Sequence, residues 1–230
     1  MVGDTRPVSD CGGAERRACF ELLERLFLGV EWDDFVRDFD AKDAVILLRD
    51  AATGRLGGFS TVTELEVEAA GGRVPVVFSG DTAVLPEYRT SFAVGQELVR
   101  YFLRARGRHA GRPLSYVLIS KGWRTYKILP FFFREFWPRH DAPTPPFARA
   151  VIDAFGARYG ERYRDGVLRA DGGAPRLRPG GVDALPAKLD PHTAFFLRAN
   201  PGWLDGDELV CTARIEPANF TRQLARLVCG

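Results

Sequence analysis

The sequence predicts an α+β fold: a sheet flanked by helices, with a C-terminal α/β extension. Three observations predict it. Two stretches of helical period open the ordered chain. Three apolar strand runs follow, separated by tight turns. From residue 76 a strand, a turn, a helix and a further apolar strand then succeed one another.

Taken in order, residues 1–13 read as a flexible tail. Residues 14–28 place Cys19, Leu22, Leu23, Leu26 and Phe27 at helical spacing with Glu and Arg between them. Residues 31–41 carry Trp32, Phe35 and Phe39 and predict a second short helix or a turn. A strand over 44–49, a hairpin turn over 50–54 and a strand over 57–67 come next, then a turn at 70–72 and a long strand over 74–85. A helix over 92–105 and a buried strand over 113–120 follow. Residues 121–129 predict a short helix stopped by Pro130.

Residues 141–146 (Asp-Ala-Pro-Thr-Pro-Pro) form a rigid, non-helical connector into an extension over 141–230. It holds an amphipathic helix over 147–163, a Gly-, Pro- and Arg-rich loop over 165–189, a short apolar run at 195–197 and turn chemistry over 200–206. A strand over 208–215 and a closing helix over 220–228 complete it. The extension is expected to pack on the core and shape one side of the site.

Composition excludes several classes. With 46% hydrophobic and 27% charged residues, the 230-residue chain can bury a real core. A net charge of +2 gives no electrostatic case for nucleic acid. No run of eighteen apolar residues predicts a membrane span, and no apolar leader predicts export, so a cytoplasmic protein is expected. Lys42, Lys121, Lys127 and Lys188 are the only lysines among 32 basic residues, which reads as coding bias toward Arg in a GC-rich bacterial genome. Cys11, Cys19, Cys211 and Cys229 form no Cys-x-x-Cys pair, and His109, His140 and His192 are scattered, so no metal site is expected. A bridge from Cys11 or Cys19 to Cys229 stays open.

Residues 76–102 are the most informative stretch. An apolar strand enters the Pro86-Glu87-Tyr88-Arg89 turn, then a small-residue loop, then a helix. Backbone N–H groups at a helix N-terminus, aided by the dipole, make an anion site, which suggests a phosphate or pyrophosphate. Arg89 suits it because its fork binds two oxygens. Thr90 and Ser91 add hydroxyl donors. The alternative for Arg89 is a solvated turn arginine.

The same residues resemble the acyl-CoA-binding segment of the GCN5-related N-acetyltransferase (GNAT) superfamily. That segment has Val-x-Pro-x-Tyr-Arg ahead of an Arg/Gln-x-x-Gly-x-Gly/Ala loop. Here Val84, Pro86, Tyr88 and Arg89 match. Phe92 and Val94 stand where glycine or alanine belongs, and Gly95 falls one residue late. Further on, residues 126–131 (Tyr-Lys-Ile-Leu-Pro-Phe) resemble the family's Tyr-x-x-x-Gly-Phe, with Pro for Gly. The resemblance covers residues 14–140. It implies a mixed, mostly antiparallel sheet whose splayed strands admit a pantetheine arm as an added strand.

The resemblance also implies site roles. Backbone N–H groups at Val84 and Leu85 would hold the thioester carbonyl. Arg89, Thr90, Ser91, Phe92, Ala93, Val94, Gly95 and Gln96 would cradle the pyrophosphate. Tyr126 would be the acid for the leaving thiolate, the alternative being a core tyrosine whose hydroxyl reaches water. Ser120 would hydrogen-bond the carrier or the tyrosine, the alternative being a strand-end cap.

Asp81 is picked out by its own chemistry. A carboxylate inside an apolar strand is costly unless paired, hydrated or used, and burial would lift its pKa toward a useful base. The alternative is a bulge at Gly80-Asp81 whose carboxylate caps a backbone N–H. Residues 131–137 supply a dense aromatic cluster, read as core or as the wall of an acyl tunnel. Asp205, Asp207 and Glu208 beside Trp203 would border an acceptor mouth, the equal alternative being a solvated turn.

The expected function is direct acyl transfer from acyl-CoA, or from the phosphopantetheine of an acyl carrier protein, to an amine or hydroxyl of a small-molecule acceptor. A non-catalytic acyl-CoA-binding or scaffold module and a thioester decarboxylase of the same fold are the alternatives. A homodimer through strand edges is compatible with this fold.

Overall fold

The computed structural model describes residues 1–89, 91, 93–173, 175–178 and 184–224. The N-terminal elements are β1 (Val2–Pro7), α1 (Gly13–Leu26), β2 (Phe27–Leu28), α2 (Trp32–Asp40), β3 (Ala44–Arg49), β4 (Leu56–Ala69) and β5 (Gly72–Val84). The middle of the chain gives α3 (Ala93–Arg108), β6 (Ser115–Ser120), α4 (Trp123–Tyr126), α5 (Ile128–Phe132) and β7 (Phe136–Trp137). The extension gives α6 (Pro146–Gly156), β8 (Tyr163–Arg164), β9 (Val167–Leu168), β10 (Arg176–Leu177), α7 (Pro191–Ala199) and β11 (Glu208–Arg214).

Among the described residues one sheet runs in the order β1-β3-β4-β5-β6-β11-β9-β8, with β7 also paired to β11. The β5–β6 pair is parallel and its neighbours are antiparallel. The sheet is mixed and mostly antiparallel and is flanked by helices, an α+β arrangement. The parallel pair follows from α3, which carries the chain back across the sheet between the two strands.

The N-terminal residues depart from the expected tail. Residues 2–7 pair antiparallel with β3 from Val2↔Arg49 to Pro7↔Ala44. The stretch lacks apolar alternation because an edge strand is held by backbone bonds and local contacts. Thr5 Oγ1, for example, donates to the buried Glu97 carboxylate of α3 at 2.7 Å. Nor does Pro130 stop a helix. It lies in the first turn of α5, where a missing N–H leaves no intrahelical bond unmade. The run at 195–197 belongs to α7, whose start is fixed by Asp190 accepting from the His192 and Thr193 amides, with Pro191 at the first helical position. The helix expected over 147–163 ends at Gly156 and continues as a 3-10 segment kinked at Gly160. The expected closing helix extends beyond residue 224, as does Cys229, and both leave the described residues. Cys11, Cys19 and Cys211 are free, buried thiols.

β11, in the extension, pairs with β6 from Leu209↔Ser120 to Arg214↔Ser115. The extension therefore supplies a central strand. Alternation sorts the side chains onto two faces. One face packs under α3, α4, α5 and α7, with Ile46, Val62, Val77, Tyr116 and Leu118 against Phe102, Tyr126, Phe132 and Phe196. The other is divided. α1 and α2 cover Val45, Leu47, Phe59, Ala83 and Leu85. α6 covers Val76, Phe78, Val117 and Val210. Each such buried Leu, Val or Phe contributes about 1.5–3 kcal/mol. The seam between α2 and α6 lies above the C-terminal half of β5. Among the described residues no helix is long and apolar enough to cross a membrane.

Candidate active site

The site arises where β5 loses one neighbour. Pairing with β6 runs from Val76↔Ser115 to Ser79↔Leu118 and stops. Residues 80–84 of β5 continue alongside β4 alone, down to Val84↔Gly58. The two parallel strands thus splay beyond Ser79, leaving one side of β5 open. The last shared rung is tied by a bond of 2.7 Å between the Ser79 and Tyr116 hydroxyls.

A bulge opens the splay. Between Ser60↔Thr82 and Val62↔Ser79, the single residue Thr61 opposes both Gly80 and Asp81. A side chain at Gly80 would force its neighbours to shift. A Cβ would lie 2.6 Å from Thr61 Oγ1 and 2.8 Å from Lys42 Cε. The bulge turns Asp81 toward the seam between α2 and α6.

Asp81 is half-buried, and among the described residues its carboxylate accepts no hydrogen bond. The bulge half of the alternative reading is therefore observed and the capping half is not. Burial pushes the Asp81 carboxyl up to about 6, assisted by Asp38 and Glu208 and opposed by Lys42 and Lys121. Lys42, its side chain only 7% exposed, pairs with Asp38 at 2.5 Å. Lys121, at the end of β6, donates to the Pro175 carbonyl at 2.6 Å and lies 3.5 Å from Glu208. Tyr159, half-buried beyond α6, responds to the same two carboxylates, and burial first and then Glu208 and Asp38 raise its hydroxyl to about 12. Among the described residues Thr61 Oγ1 is buried with no partner. Each lysine thus has its own carboxylate, and Asp81 is the acid left over.

The opposite side of the splay differs. Leu85 N–H donates to Gly57 O at 3.0 Å, so Leu85 cannot hold a carbonyl, and its side chain is buried under α1 and α2. By alternation the Val84 N–H and C=O point away from β4, into the splay. Val84 O accepts from Arg89 Nε at 3.3 Å. The pyrophosphate cradle is narrower than expected. The amides of Tyr88, Arg89 and Ser91 donate to the carbonyls of Leu85, Pro86 and Tyr88, and that of Ala93 to Ser91 Oγ. Ala93 is buried. The Phe132 ring covers Gly95, where a Cβ would meet its Cζ at 2.5 Å. Val94 and Gln96 are half-buried with first-turn amides. Thr90 and Phe92 lie outside the described residues. Burial, and then the like charge of Arg124, lower the Arg89 pKa, so the two guanidiniums share one neighbourhood.

Two expected residues turn to structural bonds. Ser120 Oγ donates to Gly122 O at 2.9 Å, a strand-end cap. The Tyr126 hydroxyl donates to Pro138 O at 2.8 Å, and its ring is enclosed by Phe136, Phe195 and Phe196. Burial raises that hydroxyl's pKa, and its charged neighbours are Arg139 and Asp141, none of them shared with Asp81. The structure does not bring Tyr126 and Asp81 together. Of the acids near Trp203, Glu208 reaches the cluster. Asp207 is held by Arg169 at 2.6 Å, and Trp203 is core.

Sequence reasoning missed Lys42, Thr61, Lys121 and Tyr159 as site residues. A signal was present for the lysines, which are two of only four in a chain that otherwise uses Arg.

No family model matches the chain, and no curated protein matches it. Among solved structures it is similar to a probable N-acyltransferase of Enterococcus faecalis, at 17% identity and TM-score 0.43 over 59% of this chain and 33% of that one. It is similar to a GNAT family N-acetyltransferase of Escherichia coli solved with CoA, at 16% identity and TM-score 0.39 over 53% and 64%. An acetyltransferase of Trypanosoma brucei is similar at 22% identity and TM-score 0.40 over 61% and 99%. The chain therefore spans about a third of the Enterococcus protein and just under two thirds of the Escherichia one.

Proposed function

We propose that the protein is an acyltransferase. In this reading it moves an acyl group from the thioester of CoA, or of carrier-held phosphopantetheine, to an amine or hydroxyl acceptor by direct attack. The observation that carries it is the β5–β6 splay, with an unpartnered carboxyl near neutral pKa on one side and the Val84 N–H aimed into the opening on the other. Asp81 is the general base, taking the acceptor's proton as its nitrogen or oxygen attacks the carbonyl carbon. The Val84 N–H receives the negative charge that develops on the carbonyl oxygen. The pantetheine arm pairs along residues 80–84 as an added strand. The carbon–sulfur bond then breaks and the thiolate departs.

The test is product mass. Acetyl-CoA, a long-chain acyl-CoA and an acyl-loaded carrier protein are each incubated with a panel of amines and alcohols. An acylated acceptor with released thiol, lost in Asp81→Asn, supports the reading. With malonyl-CoA as a further donor, loss of carbon dioxide with the thioester retained and no acylated acceptor would point to decarboxylation instead. A second reading, a non-catalytic acyl-CoA-binding module, is favoured by Phe132 lying over Gly95, which leaves less backbone open to a pyrophosphate. Saturable CoA binding without turnover would support it.

A further inference from the structure

Trp123 opens α4, immediately after the end of β6, and is 5% exposed. Its indole Nε1 is fully buried and, among the described residues, has no hydrogen-bond partner. An indole N–H can only donate, and a buried donor without an acceptor carries the whole cost of its lost hydration. Neighbouring contacts locate it. The Arg124 guanidinium lies 4.3 Å over the indole ring. Arg124 acts on Arg89 as a near like charge, and Arg89 in turn bonds the Val84 carbonyl. On the far side, Leu177 of β10 comes within 3.4 Å of where a Cβ on Gly122 would stand. The indole therefore belongs to the Val84 side of the splay, across β5 from Asp81.

We propose that the Trp123 indole N–H is a ligand donor of the carrier site, reserved for an amide carbonyl of the pantetheine arm. This rests on the acyl-transfer reading and adds a side-chain contact where the phosphate loop is weak. An arm laid against residues 80–84 presents its own amide groups edge-on to the splay. The β4 side of β5 already has its backbone partners, and the indole supplies a donor from the other side. The buried N–H would then find its acceptor only in the complex.

The experiment uses the full chain with three probes: CoA, pantetheine, and adenosine 3′,5′-diphosphate. Calorimetry compares wild type with Trp123→Phe, which keeps a ring and removes the donor. The expected result is a three- to tenfold weaker Kd for both CoA and pantetheine, the size of one ordinary hydrogen bond, with adenosine 3′,5′-diphosphate unaffected. On wild type alone, the Trp123 indole N–H resonance should move downfield and gain exchange protection with CoA and pantetheine, while that of Trp32 stays still. This second readout holds even where the Phe variant folds poorly. CoA binding with an unmoved Trp123 resonance, or a shift with adenosine 3′,5′-diphosphate alone, overturns the assignment and leaves acyl transfer standing. If wild type binds no CoA or pantetheine, the acyl-transfer reading falls and the assignment falls with it.

Discussion

The two sides of the β5–β6 splay are built differently. The side facing α2 and α6 gathers Asp38, Lys42, Thr61, Asp81, Lys121, Tyr159 and Glu208 from six separate segments, and it stays polar and half-open. The side facing α3 is assembled largely from one stretch, residues 84–89 and 93–96 with Ser91, and is tightly packed, with Phe132 against Gly95 and loop amides bonded to loop carbonyls. The difference teaches that local sequence motifs describe the packed side, whereas the titratable groups collect on the side that only the tertiary fold assembles. A carboxyl raised by burial, with its neighbouring lysines already paired, is a stronger functional signal than a degenerate loop.

Breaking the polar side should give the largest effect. Asp81→Asn removes the proposed base but keeps the shape, and kcat is expected to fall by about 10²–10⁴. In wild type the rate should rise through a pH of about 6 as Asp81 loses its proton, and the variant should lose that limb. Stability runs the other way. Because the folded carboxyl sits above its usual 3.8, the stability it contributes is full below about pH 4 and lost as pH rises through about 6. Asp81→Asn should therefore be more stable than wild type at pH 7, by roughly 2 kcal/mol, and equal to it near pH 4. A melting series from pH 4 to pH 8 checks this. A variant less stable at pH 7 would mean the carboxylate has a partner in solution.

The second break is steric. Gly80→Ala places a methyl against Thr61 Oγ1 and Lys42 Cε. Overpacking of this kind costs about 1–3 kcal/mol, read as a lower denaturation midpoint. A methyl at Gly13, which meets nothing within 4 Å, is the control and should cost far less. Equal losses at the two glycines would show the bulge to be loosely packed.

These residues mark what was legible. Residues 44–49 and the long strands are apolar runs bounded by Gly turns, so period and punctuation revealed them. The bulge was legible as an alternative because Gly80-Asp81 interrupts an apolar strand. β1 was not, because an edge strand with one large apolar residue carries no periodic signal. α7 was hidden because its capping Asp190 sits among loop residues. The lysine pairs were unreadable as pairs. Lys42 meets Asp38 one helical turn away, but both meet Asp81 only through the β4–β5 register, and Lys121 meets Glu208 only because β11 joins β6.

On the packed side the expected effects are smaller. Tyr126→Phe removes the bond to the Pro138 carbonyl and should cost about 1 kcal/mol of stability, with kcat and its pH profile unchanged. A drop in kcat of tenfold or more at unchanged KM would return Tyr126 to the chemistry. The packing around it would then have to open during turnover.

The finest test sets the charges of the polar side against one another. Lys42 lowers the Asp81 pKa and Asp38 raises it. Lys42→Met should move the rising limb of the rate profile to higher pH, and Asp38→Asn should move it lower, each by less than about one unit because neither group bonds Asp81 directly. Glu208→Gln should move it in the same direction as Asp38→Asn. Charges that merely solubilise the seam would leave the limb in place, and charges that only stabilise the fold would change the melting temperature without moving it. Opposite shifts for two residues that form one ion pair would show that each acts on Asp81 through its own charge. Shifts of the same sign would show instead that breaking the pair disturbs the seam as a whole, and the electrostatic account of Asp81 would fail.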